Sequence, residues 1–462
     1  MNEQSHILTS LKNALLITAL LALLPTSYIN GQDPLPIRPR VDHTATVCPE
    51  NNDSIEVFGV SQAETFVGYS WDERVKAELD KFADEAENSS FYAGISVWDL
   101  TADSLLWAYN RHKIMRPAST QKVLTAISAL SVLGAQHEFK TCAYYTGSIS
   151  PEGTLNGDIY VVGDFDPMFS IADLRDLAHQ IRSLGVKTVN GKVYGDASMK
   201  SSDLYGNGWC WDDVPSSNQP YLCALMLERG TIAPKFTKYS SEVSFHPAEH
   251  FVQVLVDELK ALNVGVDGNA GGYGVNEYKY NGQLFYTKTR TISQVMQKML
   301  KDSDNFHAEA LFFQLANASG GKRCTWKDGA KHVENVLRSA GASTSNVDVA
   351  DGSGVSLYNY VTSDAQVALL RYAFRNNNIY QYFYPALPIA GVDGTLSNRM
   401  KSGNAYRNVH AKTGTVRGVS CLCGYVTASN GHQLAFSILV NGTLSSQLAR
   451  NYQDRICQEL AR

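Results

Sequence analysis

The sequence predicts an α+β fold in which one region of helices and hairpins is interrupted by a second region of short strands. Apolar residues recur at helical spacing over residues 71–86 and again after Pro117. Over residues 141–286 short strand candidates dominate, and helical spacing returns beyond them. We therefore expect residues 141–286 to be an inserted α+β region that divides a larger domain into residues 69–140 and 287–462.

The individual elements follow from periodicity and from turn residues. Helices are predicted at residues 71–86, 117–133, 171–184, 248–262, 292–300, 306–315 and 445–460. Strands are predicted at residues 93–99, 105–109, 142–145, 158–162, 192–194, 242–246, 282–286, 408–415, 419–427 and 432–440. The last two strands flank Ala428-Ser429-Asn430-Gly431, which predicts a hairpin.

Composition limits the class of protein. The chain has 462 residues, of which 44% are hydrophobic and 18% charged, as is typical of globular proteins. Its formal net charge of -5 argues against nucleic acid or a membrane surface as a partner.

The amino-terminal residues indicate export. Residues 1–31 resemble a secretory signal, because the apolar run from Ala14 to Leu24 is too short to span a bilayer and is followed by Pro25. An uncleaved anchor is the alternative. Residues 32–68 are interpreted as a linker or amino-terminal arm. We expect a periplasmic or otherwise exported protein with no stable membrane span after signal cleavage.

Eight cysteines in an exported chain make disulfides plausible, and we expect some to form. Eight cysteines allow 105 connectivities, and the sequence does not distinguish among them. Cys421 and Cys423 are two apart in a predicted strand, so they share a face but are poorly placed to bridge each other.

The first candidate for catalysis is Ser119, which precedes Lys122 by three residues at the start of a predicted helix. Residues three apart on a helix share a face, so the amine can take the hydroxyl proton. A lysine acts as such a base only where desolvation or positive charge lowers its pKa.

Two further motifs follow in order, Ser303-Asp304-Asn305 and Lys412-Thr413-Gly414. Together with Ser119-x-x-Lys122 they resemble the signature of penicillin-binding proteins and serine β-lactamases. Chance alone yields a given tripeptide in roughly one chain of this length in twenty. Two such tripeptides in the right order are therefore strong evidence.

The chemistry explains these residue types. We expect Ser119 to be acylated, Lys122 to be its base, and Ser303 to relay a proton between Lys122 and the leaving amine. Asn305 would orient Lys122 and bind the substrate's peptide amide. Lys412 would attract a C-terminal carboxylate and favour neutral Lys122.

The strand that carries Lys412 supplies the remaining candidates. Thr413 and Thr415 would donate hydroxyl hydrogen bonds to the substrate carboxylate, and Gly414 would leave room for the substrate. The backbone N–H groups of Ser119 and Thr415 would form the oxyanion hole. No metal and no cofactor is expected.

A closer resemblance is to the D-alanyl-D-alanine carboxypeptidase/endopeptidase family, the low-molecular-mass class C penicillin-binding proteins. It spans roughly residues 93–440. Its motifs are Pro117-Ala118-Ser119-Thr120-Gln121-Lys122, Ser303-Asp304-Asn305 with Ala308-Glu309, Asp351-Gly352-Ser353-Gly354, Lys412-Thr413-Gly414-Thr415 and Gly208-Trp209-x-Trp211-Asp212-Asp213. Gly163-Asp164-Phe165-Asp166-Pro167 departs from the family's more glycine-rich turn.

This resemblance implies a β-lactamase/transpeptidase-like domain, an antiparallel sheet sandwiched by helices. One or two small, mostly-β domains would be inserted after the helix that carries the catalytic serine, and the resemblance favours two nested small domains within residues 141–286. The implied substrates are peptidoglycan stem peptides that end in D-Ala-D-Ala, or D-Ala crosslinks, and β-lactams would be covalent inhibitors.

Two other functions were weighed. A class A β-lactamase uses a glutamate that is followed four residues later by asparagine. The only glutamates between Ser303 and Lys412 are Glu309 and Glu334, and the residues four positions after them are Phe313 and Arg338. A non-catalytic peptidoglycan-binding scaffold would not need nucleophile, base and carboxylate-binding strand together. A carboxypeptidase or endopeptidase is therefore favoured, and the sequence leaves the balance between the two open.

Several polar residues near the motifs are given structural interpretations. Asp304 and Ser353 are interpreted as structural or turn residues, and His307 and His410 as packing or surface residues. For Glu309 a salt bridge and a role in the site are equally favoured.

Overall fold

A computed structural model describes residues 70–213, 215–216, 218–232, 242–267, 272–279 and 281–462. The predicted signal at residues 1–31 and the predicted arm at residues 32–68 lie outside the described residues. No helix in the described part of the chain is long and apolar enough to cross a membrane.

An antiparallel five-stranded sheet forms the centre of the region that carries the motifs. Its strands are β1 (Tyr92–Asp99), β2 (Ser104–Tyr109), β12 (His410–Val416), β13 (Val419–Thr427) and β14 (Gln433–Asn441). Their order is β12-β13-β14-β1-β2, so β12 is an edge strand. The predicted hairpin is confirmed, because Thr427 pairs with Gln433 across the turn at Gly431.

Helices cover both faces of this sheet. On one face lie α1 (Trp71–Glu87) and α10 (Ser446–Leu460), whose buried residues pack with Ile95, Leu422 and Phe436. The helices of the second cluster are α2 (Gln121–Leu133), α5 (Ile292–Lys301), α6 (Asn305–Ala316), α7 (Trp326–Ser339), α8 (Ser363–Arg375) and α9 (Asn377–Phe383). They pack with Cys421 and Leu439 on the other face, because side chains alternate along a strand.

The segment after α2 forms two further sheets. A five-stranded sheet has the order β10-β8-β6-β3-β11, and a four-stranded sheet has the order β4-β5-β7-β9. Their strands are β3 (Glu138–Tyr145), β4 (Ser148–Ile149), β5 (Thr154–Asn156), β6 (Ile159–Val162), β7 (Thr188–Val189), β8 (Val193–Asp196), β9 (Gly265–Val266), β10 (Tyr273–Val275) and β11 (Gln283–Thr291). The helices α3 (Ile171–Ser183) and α4 (Pro247–Ala261) share a separate apolar cluster with them.

The first and last strands of this segment pair with each other. β3 and β11 are antiparallel, and Glu138 lies opposite Thr291 at the end nearest to α2 and α5. Thr291 then caps α5, since its hydroxyl accepts a hydrogen bond from the Gln294 N–H. The chain therefore enters and leaves this segment through one pair of antiparallel strands, β3 and β11.

Some elements differ from the sequence-based expectation. The strand predicted at 242–246 is wrong, because Val243 makes only an isolated bridge to Thr231 and Pro247 begins a helix directly afterwards. α7, α8 and α9 were not predicted. A signal for α7 was present, because Thr325 and Asp328 form a capping box before an amphipathic run.

The seven described cysteines are free thiols, so the expected disulfides do not form among them. Cys421 and Cys423 lie on one face of β13, and each pairs in register with a residue of β12 and of β14 rather than with another cysteine. Buried free cysteine behaves as a small apolar side chain. Five of the seven described cysteines contribute to the apolar clusters or pack against them, namely Cys223, Cys324, Cys421, Cys423 and Cys457.

Candidate active site

Ser119 lies in a 3₁₀ turn, Ala118–Thr120, that leads directly into α2. The turn places its hydroxyl 2.9 Å from the Nζ atom of Lys122. Ser119 is partly exposed, whereas Lys122 is buried. The spacing of three residues thus produces the expected contact between a reachable hydroxyl and a desolvated amine.

Lys122 has two further hydrogen-bond acceptors. Its Nζ atom lies 2.8 Å from Oδ1 of Asn305 and 2.7 Å from the carbonyl oxygen of Ser353. Burial lowers the pKa of Lys122 to about 8, although the charges of Asp351 and Glu309 oppose this shift. A fraction of Lys122 is therefore neutral near neutral pH and able to accept a proton.

The Ser303-Asp304-Asn305 turn is held by Asp304. Ser303 has a φ of 60°, in the left-handed region that non-glycine residues seldom adopt. Asp304 caps α6 by accepting the N–H of His307, and it also bonds the His307 ring and Arg229, whose Nη1 is 2.6 Å away. Burial favours a higher pKa for Asp304, but His307 and Arg229 outweigh it and hold this pKa well below its ordinary value. Asp304 is thus placed as a structural anchor.

Lys412 lies on the edge strand β12, as predicted. Its Nζ atom is 2.9 Å from Oγ of Ser303 and 2.7 Å from the carbonyl oxygen of Thr413. Burial, together with the charge of Lys122, lowers the pKa of Lys412 well below its ordinary value. The Ser303 hydroxyl is therefore a hydrogen-bond acceptor for the Lys412 amine.

Gly414 permits close contact between β12 and the serine turn. A Cβ atom at Gly414 would lie 2.7 Å from the carbonyl oxygen of Pro117 and 3.0 Å from the N atom of Ser119. The backbone of the turn from Pro117 to Thr120 is therefore what approaches this glycine, and the room for substrate expected there stays a prediction. This contact brings two predicted N–H donors, those of Ser119 and Thr415, onto neighbouring segments.

The two threonines of β12 differ. The Thr413 hydroxyl donates a hydrogen bond to Oγ1 of Thr395 at 2.7 Å, so a residue outside the motifs contacts this strand. Thr415 is exposed. Thr395 lies in a short 3₁₀ turn, Gly394–Leu396, for which the sequence offered no chemical motif.

The turn at residues 351–354 packs behind the serine. The Gly354 Cα, with φ of 85°, faces Ala118 so closely that a Cβ there would lie 1.9 Å from the Ala118 carbonyl oxygen. Asp351 accepts hydrogen bonds from the N–H of Gly354 and from Nε1 of Trp209, at 2.7 Å and 2.9 Å. Trp209 belongs to the motif Gly208-Trp209-x-Trp211-Asp212-Asp213, so that motif contacts the site through this tryptophan.

Other residues near the motifs have packing roles. His410 stacks on Tyr384, with ring centroids 4.3 Å apart, and His307 is buried against Asp304. Gln366 of α8 donates to the Thr120 hydroxyl at 2.8 Å and so fixes the serine turn, a contact that no sequence motif indicated. Among the described residues no cluster of three or more His, Cys, Asp or Glu side chains is placed to hold a metal ion.

The fold and the order of the three motifs define the class of serine enzymes that includes penicillin-binding proteins and serine β-lactamases. Within this class, the chain belongs to the D-Ala-D-Ala carboxypeptidase 3 (S13) family, whose model matches residues 75–244 and 237–462. This match confirms the family resemblance inferred from the motifs. The chain is accordingly a serine-type peptidase.

Known proteins match over most of the chain. The D-alanyl-D-alanine carboxypeptidase of Actinomadura sp. is 29% identical over 458 residues, covering 84% of this chain and 84% of that protein. The D-alanyl-D-alanine carboxypeptidase DacB of Haemophilus influenzae is 26% identical, covering 80% of this chain and 89% of that protein. Crystallised penicillin binding protein 4 from Haemophilus influenzae has a TM-score of 0.73 at 24% identity, covers 82% of this chain and 98% of its own, and confirms the predicted fold class.

Proposed function

We propose that this protein is exported and hydrolyses the terminal D-Ala–D-Ala bond of peptidoglycan stem peptides, or the D-Ala crosslink between them. The observation that carries the proposal is the 2.9 Å contact between Oγ of Ser119 and the buried amine of Lys122. Membership of the carboxypeptidase family supports the substrate class.

The first step is acylation of Ser119. Neutral Lys122 takes the hydroxyl proton as Oγ attacks the carbonyl carbon, and the backbone N–H groups of Ser119 and Thr415 stabilise the oxyanion. Collapse of the tetrahedral intermediate breaks the C–N bond. The departing amine, which is D-Ala in a carboxypeptidase, receives a proton through Ser303. Water then hydrolyses the acyl-enzyme.

Substrate recognition involves the edge strand and the Asn305 amide. Lys412, with the hydroxyls of Thr413 and Thr415, attracts the terminal carboxylate, because buried positive charge and hydroxyl donors both favour an anion. Asn305 orients Lys122 at 2.8 Å and keeps its amide nitrogen available for the substrate's peptide group. β-Lactams carry a similar carboxylate beside their reactive carbonyl, so we expect them to acylate Ser119.

We also propose that residues 69–140 and 287–462 form the catalytic domain and that residues 141–286 form nested inserted domains. The pairing of β3 with β11 and the separate apolar cluster of the inserted segment support this division.

The decisive experiment is intact-mass measurement of the purified chain without residues 1–31 during incubation with benzylpenicillin. We expect a stable adduct of one penicillin on the Ser119 peptide, and none on Ser119→Ala. Retention of label by Ser119→Ala would refute the assignment. Rapid hydrolysis of the drug would indicate a β-lactamase. If the chain forms no adduct and releases no D-alanine from a D-Ala-D-Ala peptide, the non-catalytic peptidoglycan-binding scaffold is favoured instead.

A further inference from the structure

A second acidic residue supports the turn that binds Lys122. Glu309, on α6, is 1% exposed, and its two carboxylate oxygens accept the N–H groups of Ser353 and Gly352 at 2.9 Å and 3.2 Å. The carbonyl oxygen of Ser353 accepts a hydrogen bond from Nζ of Lys122 at 2.7 Å. One residue of backbone therefore connects the Glu309 carboxylate to the Lys122 amine.

The rest of this turn is fixed on its other sides. The carbonyl oxygen of Gly352 accepts a hydrogen bond from the Thr125 hydroxyl at 2.7 Å, and Thr125 lies one helical turn after Lys122 on α2. Gly354 contacts Ala118. Asp351 accepts the Gly354 N–H within the turn, and Glu309 accepts the two N–H groups of Gly352 and Ser353. Any movement of this carboxylate would therefore displace the carbonyl that orients Lys122.

We propose that Glu309 is a positioning residue for Lys122: it holds the Ser353 carbonyl in place, and its negative charge sets how readily the amine takes up a proton. This inference rests on the proposed function, because it assigns Lys122 as the base for Ser119. It gives the acidic member of the Ala308-Glu309 pair a role distinct from a salt bridge.

Charged groups from several elements face this pair. Asp351 lies in the same turn, Lys200 follows β8 and interacts with Glu309, and Lys412 on β12 interacts with Lys122. Asp304, before α6, also acts on Lys122. Replacement of Glu309 keeps each of these side chains in the sequence, so the variant changes one charged group of the set.

Burial shifts the pKa values of Glu309 and Lys122 toward each other. Burial, followed by the charge of Asp351, raises the pKa of Glu309 to about 8, and burial lowers the pKa of Lys122 to about 8. When Glu309 ionises, its charge favours the protonated amine and delays the loss of the Lys122 proton. Two such coupled titrations give a rate that rises with pH more gradually than a single titration.

The test is the rate of acylation by benzylpenicillin as a function of pH, measured on wild type and Glu309→Gln. We expect the acidic limb of the variant to move to lower pH by about one unit and to sharpen to a single titration, because the opposing charge is gone. The maximal rate should also fall, since an amide has one acceptor oxygen for two N–H groups. An unchanged limb with a lower rate would mean a structural role only.

Glu309→Asp separates charge from position. It keeps the negative charge but shortens the side chain, so the limb should remain broad while the rate falls. A sharpened limb in this variant would overturn the proposal. Glu334→Gln on α7, which removes a half-buried glutamate paired with Arg338, is the matched control and should leave the profile unchanged.

Wild type alone provides an independent measurement if Glu309→Gln fails to fold. Its acidic limb should be broader than a one-proton curve, and a limb that follows one proton would overturn the inference. If wild type forms no adduct at any pH, the proposed function itself fails. A wild-type adduct whose limb is insensitive to Glu309 would refute the positioning role alone.

Discussion

Two buried lysines, Lys122 and Lys412, have opposite relations to negative charge. Lys122 bonds three oxygen atoms and lies near the carboxylates of Glu309 and Asp351. Lys412 bonds one hydroxyl and one carbonyl, and among the described residues no carboxylate forms a salt bridge with it. The same side chain is thus held with nearby negative charge in one place and without a carboxylate partner in the other.

This difference separates a base from an anion-binding group. Lys122 has hydrogen-bond acceptors that fix the direction of its amine toward Ser119. Burial lowers the pKa of Lys122, and the nearby carboxylates of Glu309 and Asp351 oppose this shift. Lys412 is desolvated without a counter-charge, an arrangement that is costly unless an anion from the substrate completes it. The two lysines should therefore respond differently to mutation.

The largest effect should come from Lys122→Ala. Loss of a general base lowers a rate by about 10²- to 10⁴-fold. Because every acylation passes through Ser119, we expect the loss to be equal for substrates with a free or an amidated C-terminal carboxylate. Acylation rates by mass spectrometry measure this, with the exposed Lys113→Ala as control. A loss confined to the free carboxylate would assign Lys122 to binding.

Lys412→Ala should discriminate between substrates. A charge-assisted hydrogen bond contributes about 1.5–3 kcal/mol, so we expect the free carboxylate to lose roughly 10- to 100-fold more than the amidated substrate. Paired assays of kcat/KM measure this difference, and Lys401→Ala, an exposed lysine nearby, is the control. Equal losses on both substrates would mean that Lys412 acts elsewhere.

The pH dependence sharpens the comparison. Protonated Lys122 cannot accept the Ser119 proton, so the acylation rate should rise as pH increases toward and through about 8, where Lys122 loses its proton. We expect Lys412→Ala to retain a rising limb, since the base remains. The assay should cover about three pH units, roughly pH 6 to pH 9. An acylation rate that stays constant over this range would exclude Lys122 as the titrating base.

Arg229→Ala should have the smallest effect and should affect both lysines together. Arg229 holds Asp304, and the same turn carries Ser303 toward Lys412 and Asn305 toward Lys122. Removing one partner of a half-buried pair costs about 1–3 kcal/mol, measurable by denaturant unfolding.

The control for this change is Arg175→Ala, whose exposed pair with Glu258 should contribute little. Acylation should fall by a similar factor on free and amidated substrates. A substrate-selective loss would show that Arg229 contacts substrate rather than the turn.

The chemistry-bearing side chains were accessible to sequence reasoning, whereas their supports were not. Ser119, Lys122, Ser303, Asn305 and Lys412 occur in short motifs, and the structure brings all five together. The Ser353 carbonyl has no residue-type signature, because every residue carries one. Arg229 pairs with a residue 75 positions away, a contact that arises only when the inserted segment folds back.

Secondary structure shows the same limit. The strong periodicity of α2 and β13 predicted them well, since each buries an apolar surface that its sequence repeats. The segment at 242–246 alternates like a strand, but among the described residues it forms an isolated bridge, between Val243 and Thr231, rather than a ladder. A local pattern without a neighbouring strand thus yields no strand. The tertiary partner decides such cases.

The inserted segment contacts the rest of the chain at several places besides its covalent stem, and this has a mechanical consequence. Its covalent stem is the β3–β11 pair, and its further contacts include the backbone bridge between Lys200 and Cys324. They also include the hydrogen bonds of Trp209 to Asp351 and of Arg229 to Asp304. A segment held only at its stem could rotate about that stem, whereas one held at further points moves together with the residues it contacts. A force or a crosslink applied to the inserted segment would therefore be transmitted to the two turns that hold Lys122 and Ser303.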